Sequence, residues 1–164
     1  MNKTGTLKVT TLGERDILLT RDFDAPRALV FKALTDPTLI PKWWGRRGHT
    51  TAVDRMDVRP GGAWRFVERA PDGDEFPFRG VYREIAAPGR LVYTFEFEPM
   101  PGYVSLEMIM LEEHAGRTTM TNTVAFHTTG DRDGMIDSGM ESGASESMDK
   151  LADLLASMLA GDAN

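Results

Sequence analysis

The middle of the chain alternates hydrophobic and polar residues, and a period of two predicts β-strands. The clearest alternation spans residues 90–98, where one row holds Leu91, Tyr93, Phe95 and Phe97 and the other holds Thr94, Glu96 and Glu98. We expect the first row to be mostly buried and the second mostly exposed, because successive side chains of a strand point to opposite faces. The same reasoning predicts six further strands, at 16–22, 51–58, 63–69, 75–85, 104–111 and 118–126.

Two of these strands decide much of what faces the interior. In the strand at 104–111, the row expected to point inward is Val104, Leu106, Met108 and Met110, although Ile109 and Leu111 lie on the opposite row. In the strand at 118–126, the row expected to point inward is Met120, Asn122, Val124 and Phe126. Threonines fill most of the opposite row, which is typical of a strand with one wet face.

Helical patterns flank these strands. Asp24-Ala25-Pro26 is a helix-start signal, with Asp24 as the candidate cap, and predicts a short helix to about Thr35. A second short or kinked helix should follow Asp36-Pro37, because Pro41 removes a backbone donor inside it. Apolar residues then recur every three or four positions from Ile136 to Leu159, which predicts one long helix of about 25 residues with Asp133 as its cap.

These elements predict a single α+β domain over residues 15–160, preceded by an N-terminal extension at 1–14. Short turns rich in proline and glycine join the last six strands, so the sheet should be antiparallel. One face of that sheet is rich in aromatic residues and methionine, and one amphipathic helix is available to cover it. We therefore expect a curved antiparallel sheet wrapped around a long C-terminal helix.

Composition narrows the classes of partner. The formal net charge of −6 disfavours nucleic acid, because phosphate backbones are repelled by an acidic surface. The chain has no cysteine, which excludes disulfides and thiolate chemistry. The N-terminus lacks the apolar core of a signal peptide, and no apolar run is long enough to cross a bilayer. We expect a cytoplasmic protein that binds neither nucleic acid nor membrane.

The inward-facing aromatic residues exceed what one helix can cover, so we expect an apolar cavity between the sheet and the helix. Ordinary core packing is the alternative for any one of them. Flexible methionine side chains suit an adaptable pocket, and Asn122 is the one polar residue of its inward row. The candidate ligand-binding residues are Trp44, Trp64, Phe66, Phe78, Tyr82, Tyr93, Phe95, Met108, Met110, Asn122, Met140, Ala144 and Met148.

No catalytic or metal-binding constellation is visible in the sequence. His49, His114 and His127 are scattered, with no two at ligand spacing. Glu112 and Glu113 are adjacent on a predicted strand, so their side chains point to opposite faces and cannot act as a pair. We expect neither a metal nor a cofactor.

Several motifs, in this order and spacing, resemble one protein family. They are Phe23-Asp24-Ala25-Pro26, Trp43-Trp44-Gly45, Asp57-Val58-Arg59-Pro60-Gly61-Gly62, Gly80-Val81-Tyr82-Arg83-Glu84-Ile85 and Leu91-Val92-Tyr93-Thr94-Phe95. The chain resembles START-like (SRPBCC) helix-grip domains, and among them small bacterial proteins similar to the C-terminal domain of the activator of the heat-shock-protein-90 ATPase. The family often has tryptophan directly after the glycine of its last helix, and here that position is Ala144.

The resemblance implies the helix-grip fold and leaves three functions open. The first is binding of a small apolar molecule between the sheet and the last helix. The second is a chaperone- or stress-associated interaction module, and the third is a cofactor-free enzyme of the cyclase type. An open apolar cavity favours the first, a closed interior the second, and a buried ionisable group in the pocket the third. The sequence also leaves a homodimer open.

Overall fold

The computed structural model describes residues 6–162, and within them the chain forms eight strands and four helices. The strands form one antiparallel sheet in the order β1-β2-β8-β7-β6-β5-β4-β3. The elements are β1 Lys8–Leu12, β2 Asp16–Phe23, α1 Arg27–Thr35, α2 Ile40–Trp43, β3 Thr50–Met56, β4 Ala63–Arg69, β5 Glu75–Ala86, β6 Arg90–Phe97, β7 Ser105–His114, β8 Arg117–Ala125, α3 Thr129–Asp137 and α4 Met140–Asp162. The predicted α+β fold, with a curved antiparallel sheet and a long C-terminal helix, is confirmed.

The period-two patterns placed most inner rows correctly. On β4, Trp64 and Phe66 are buried and Arg65 lies on the outer face. On β8, the inner row is buried along its whole length and continues into Phe126, which follows the strand. Leu151 and Leu155 of α4 are 0% and 2% exposed and pack against the same core.

The two short helices close one end of the sheet. Helix α2 is a single turn that contains Pro41, as predicted, and the Trp43 indole donates a hydrogen bond to the Ala33 carbonyl at 2.9 Å, which joins α2 to α1. Asp24 is not the N-cap of α1. Pro26 occupies that position, and the Asp24 carboxylate instead lies 3.0 Å from Arg117 of β8.

Strand β1 was not predicted. It pairs antiparallel with β2, from Lys8 opposite Thr20 to Leu12 opposite Asp16, at the edge of the sheet. The side chains of β1 are mostly exposed on both faces. Because neither face is buried, the sequence has no alternation of hydrophobic and polar residues there. Backbone hydrogen bonds to β2 hold this strand, and a hydrophobicity pattern cannot reveal them.

The C-terminal helical pattern covers two helices where one was predicted. Helix α3 begins after Thr128, whose side chain accepts a hydrogen bond from the Asp131 backbone N–H at 3.0 Å. Asp133, the predicted cap, lies inside α3. Gly139, with a φ of +83°, separates α3 from α4 in the left-handed conformation that glycine adopts at little cost.

The predicted inner row of β7 was wrong. Met108 and Met110 lie on the outer face, and Met110 is 44% exposed. Ile109 and Leu111 are buried at 3% and 2% exposure instead, and their row includes Glu107. The sequence offers an apolar row on each side of this strand, and the structure buries the one that contains the carboxylate because that carboxylate is hydrogen-bonded inside.

The predicted contrast between the two faces of β6 was also too strong. Leu91 is buried, but Tyr93, Phe95 and Phe97 are only half-buried because they face an internal cavity. On the outer face, Thr94, Glu96 and Glu98 are half-buried too, and the two glutamates pair with arginines of β4 and β5. Both faces of β6 are therefore partly covered.

No helix among residues 6–162 combines the length and the apolar character that crossing a membrane requires.

Candidate functional site

The curved sheet and helix α4 do not close on each other completely. Between them lies a cavity of about 750 Å³, within the usual size range of small-molecule sites. Strands β4 to β8 supply most of one wall, and helices α2, α3 and α4 supply the other. The cavity is therefore built from the main elements of the fold.

Aromatic rings form most of the sheet wall. The Trp64 ring centroid lies 4.8 Å from that of Phe66 and 5.9 Å from that of Tyr93, the latter in an edge-to-face arrangement. The Trp64 indole donates to the Thr94 carbonyl at 3.2 Å. A side chain at Gly80 would collide with that indole and with the same carbonyl, so glycine permits Trp64 to lie flat against β5.

The helix wall is lined by small and flexible side chains. Met140, Ala144 and Met148 lie one helical turn apart and all border the cavity. They also pack against a smaller buried cluster that includes Leu19 of β2 and Val124 of β8. Ala144 thus lies at the cavity wall, where an indole would project into the space.

One end of the cavity is polar. The Glu107 carboxylate oxygen Oε1 accepts hydrogen bonds from the Tyr93 hydroxyl at 3.1 Å and from the Asn122 side-chain amide at 2.9 Å. These three residues belong to adjacent strands, since β7 pairs with β6 on one side and β8 on the other. Asn122 is 8% exposed, and its Oδ1 has no hydrogen-bond partner among the described residues.

Burial dominates the electrostatics of this end. It raises the pKa of Glu107, although the bonds from Asn122 and Tyr93 act in the opposite direction. It raises the pKa of Tyr93 well above its usual range, and the neighbouring Glu107 charge adds to that effect. Burial also raises the pKa of Tyr82, which borders the same space. Both phenols therefore stay protonated near neutral pH.

A second polar group lies where the loop after α2 meets the cavity. Glu68 of β4 is 6% exposed, with Oε2 at 2.6 Å from His49 Nδ1 and at 3.2 Å from the Arg46 backbone nitrogen, which donates to it. The Gly45 carbonyl accepts from Ser147 Oγ at 3.0 Å and from Lys150 Nζ at 3.3 Å. Burial lowers the pKa of Lys150. These bonds fix the loop to β4 and α4.

All the candidate residues chosen from the sequence border the cavity except Met108 and Met110, which lie on the outer face of β7. Sequence reasoning missed the polar residues Glu107, Glu68 and His49, which also border it. The signal for Glu107 was present, because it shares a row with Ile109 and Leu111. A carboxylate in an apolar row is ordinarily taken to mark the outer face.

The three histidines lie apart in the fold. His49 contacts Glu68 and stacks on Phe76, His114 ends β7, and His127 follows β8. Across residues 6–162, no group of three or more side chains of the types that bind metals comes together.

Comparison with known proteins gives a consistent picture. Residues 24–156 match the family described as activator of Hsp90 ATPase homolog 1-like protein. A protein from Nitrosomonas europaea, 28% identical, has a similar structure with a TM-score of 0.80, over 91% of this chain and 99% of its own. A protein from Mycobacterium smegmatis, 24% identical, gives a TM-score of 0.83 over 92% and 96% of the two chains. The AHSA1 protein from Silicibacter pomeroyi, 23% identical, gives 0.71 over 86% and 97%. A comparison with the curated proteins finds no match.

Proposed function

Because the chain belongs to the family of activator of Hsp90 ATPase homolog 1-like proteins, and because a cavity lies between its sheet and helices, we propose that it binds one small, mostly apolar molecule there. The family suggests either ligand binding or a chaperone-associated role. The cavity of about 750 Å³ is the observation that favours ligand binding, because a protein that acts only through its surface has no need of such a space.

The chemistry of the wall supports an apolar guest. Aromatic rings of β4, β5 and β6 face methionines of α4 across the space. Binding of an apolar molecule that covers these surfaces is favourable, because it removes apolar surface from water. Methionine side chains adapt their shape to a guest at low cost. The polar end at Glu107 would orient the guest, since a few placed polar groups usually fix a ligand in an apolar pocket.

Native mass spectrometry of the purified protein tests the proposal directly. We expect a bound species whose mass exceeds that of the chain by the mass of one small molecule, and denaturation should release that molecule for identification. If the protein carries none, a panel of apolar compounds should raise its melting temperature. A protein that binds no member of such a panel would contradict the proposal.

The family description keeps a chaperone-associated role as the alternative. It predicts that the chain raises ATP turnover by the 90-kDa heat-shock protein of the same organism, and it does not require the cavity to be filled. We expect no stimulation.

Glu107 also provides one ionisable group for the third candidate, a cofactor-free cyclase. Turnover would appear in the native mass spectrum as a change in the mass of an added ligand.

A further inference from the structure

The Glu107 carboxylate is held in one orientation, with one oxygen unused. Tyr93 and Asn122 both donate to Oε1, from the strands on either side of β7. Among the described residues, nothing donates a hydrogen bond to Oε2. Oε2 is not among the fully buried atoms that lack a partner, so it remains accessible, and a carboxylate oxygen has two acceptor sites. The geometry therefore leaves an acceptor at the polar end of the cavity.

This carboxylate also lacks a positive neighbour. No arginine, lysine or histidine of residues 6–162 forms a salt bridge with Glu107, which is half-buried. Glu68, the other glutamate that borders the cavity, is hydrogen-bonded to His49. Buried carboxylates in proteins are ordinarily paired or bound to a cation. The two partners of Glu107 are a phenol and an amide, which supply hydrogen bonds without any charge.

The surroundings of Glu107 suit a cation. The Tyr93 ring lies 6.2 Å from the Tyr82 ring and 5.9 Å from the Trp64 ring, so three electron-rich rings meet at this end of the cavity. Faces of tryptophan and tyrosine attract ammonium groups. The chain as a whole carries a net charge of −6, which draws cations toward it.

We propose that the ligand of this cavity is an amphipathic amine, whose apolar body contacts the aromatic wall and whose protonated nitrogen donates to Glu107 Oε2. This inference rests on the proposed ligand-binding function and names the chemical class of the ligand. A protonated amine supplies both missing elements, the hydrogen-bond donor and the positive charge. A neutral hydroxyl would supply only the donor.

Three probes of matched size separate these contributions. Naphthylbutylamine, naphthylbutanol and pentylnaphthalene have the same number of heavy atoms and end in an ammonium, a hydroxyl and a methyl group. Isothermal titration calorimetry at neutral pH would give the dissociation constant of each. We expect the wild-type protein to bind the amine at least about tenfold more tightly than the alcohol, because a hydrogen bond between charged groups is stronger than one with a neutral donor.

Two variants locate the preference. Glu107→Gln keeps the shape and removes the charge. The affinity for the amine should therefore fall more than the affinity for the alcohol, and the ratio of the two dissociation constants should fall close to one. Glu112→Gln is the matched control, because Glu112 lies on the same strand and is exposed. It should keep the wild-type ratio.

A measurement on the wild-type protein guards against a Glu107→Gln variant that does not fold. The amine should shift the side-chain amide resonances of Asn122, which is bonded to Glu107, more than pentylnaphthalene does. Equal shifts would count against the inference.

The outcomes distinguish the two proposals. Binding of the alcohol and the hydrocarbon without a preference for the amine would overturn the inference alone. The same holds if the preference survives in Glu107→Gln. Failure of all three probes to bind would overturn both the inference and the proposed function.

Discussion

The guanidinium of Arg21, on β2, lies 2.7 Å from the carboxylate of Asp149, on α4, and this ion pair joins the sheet to the C-terminal helix inside the molecule. The Arg21 side chain is 0% exposed and that of Asp149 is 21% exposed. The guanidinium carbon also lies 5.3 Å from the centre of the Phe23 ring. Arg21 is thus a buried arginine on the inner row of β2 that forms an ion pair with α4.

Asp149→Asn should destabilise the protein by about 3 kcal/mol, because it removes the negative charge that faces the fully buried Arg21 guanidinium. Asp153→Asn is the control, since its pair with Arg47 is about half exposed on both sides and should contribute less than about 1 kcal/mol. Urea denaturation of the three proteins gives the free energies of unfolding. Equal losses for the two variants would show that burial of Arg21 does not matter.

Leu151→Ala or Leu155→Ala should cost about 2–5 kcal/mol, the usual range for a buried leucine. Both side chains are almost completely buried beneath α1 and the sheet. Leu159, one turn further along α4, is 39% exposed, and Leu159→Ala should cost less than about 1 kcal/mol. A denaturation midpoint that barely moves in the first two variants would mean that α4 does not anchor the fold through this pair.

Ala144→Trp should reduce ligand binding without unfolding the protein. The new indole would project into the cavity beside Met140 and Met148 and take up space that a ligand needs. Thermal shifts with an apolar compound panel should therefore be smaller for this variant than for the wild type. Ala156→Trp, which places an indole on the exposed face of α4, should leave the shifts unchanged. Equal shifts for all three proteins would separate this helical stripe from the binding site.

The free energy of unfolding of Glu107→Gln minus that of the wild type should increase with pH. Burial raises the pKa of Glu107 above its ordinary value of 4.5, so its stabilising contribution is complete below that value and is lost as the pH rises through the folded-state pKa. Glutamine does not titrate and escapes that loss. Tyr93, the titratable group in contact with Glu107, stays protonated throughout because burial raises its pKa.

Thermal or urea unfolding from acid to neutral pH checks this expectation. The Glu112→Gln variant should be measured in parallel, because it subtracts the general effect of removing a negative charge from β7. If the free energy of unfolding of Glu107→Gln minus that of the wild type stays constant or decreases as the pH rises, burial does not penalise the Glu107 carboxylate.

The sequence predicted the fold well wherever burial alone determines the pattern. The inner rows of β4 and β8 follow from simple alternation, and the residues of α4 that reach the core follow from helical spacing. Most of the aromatic wall could be named in advance, since large apolar side chains on one face of a curved sheet must converge. Hydrophobicity was sufficient to predict these features because their apolar side chains point inward and their polar side chains point outward.

The rest depended on hydrogen bonds that no hydrophobic pattern records. Glu107 lies on the inner row because Tyr93 and Asn122 bind its carboxylate from neighbouring strands, and the register that brings the three together is a property of the sheet. The break at Gly139 depends on a left-handed backbone conformation between two apolar stretches. In the first case, hydrogen bonds from neighbouring strands offset the cost of turning a carboxylate inward. In the second, glycine adopts a backbone conformation that would be costly for other residues.

Strand β2 pairs with β8 along its whole length, from Asp16 opposite Ala125 to Phe23 opposite Thr118. Just beyond the last paired residues of β2 and β8, the Thr118 hydroxyl donates a hydrogen bond to the Ala25 carbonyl, 93 residues away in sequence. Strands β3 to β8 pair with their immediate neighbours in the chain, so their hairpins can form as they leave the ribosome. Strand β2 can pair with β1 early, but it must wait for its second neighbour until β8 has been synthesised, and closing so long a loop slows folding. The apolar row of β2 therefore lacks its β8 neighbour until that strand has emerged, and the sheet becomes continuous only then.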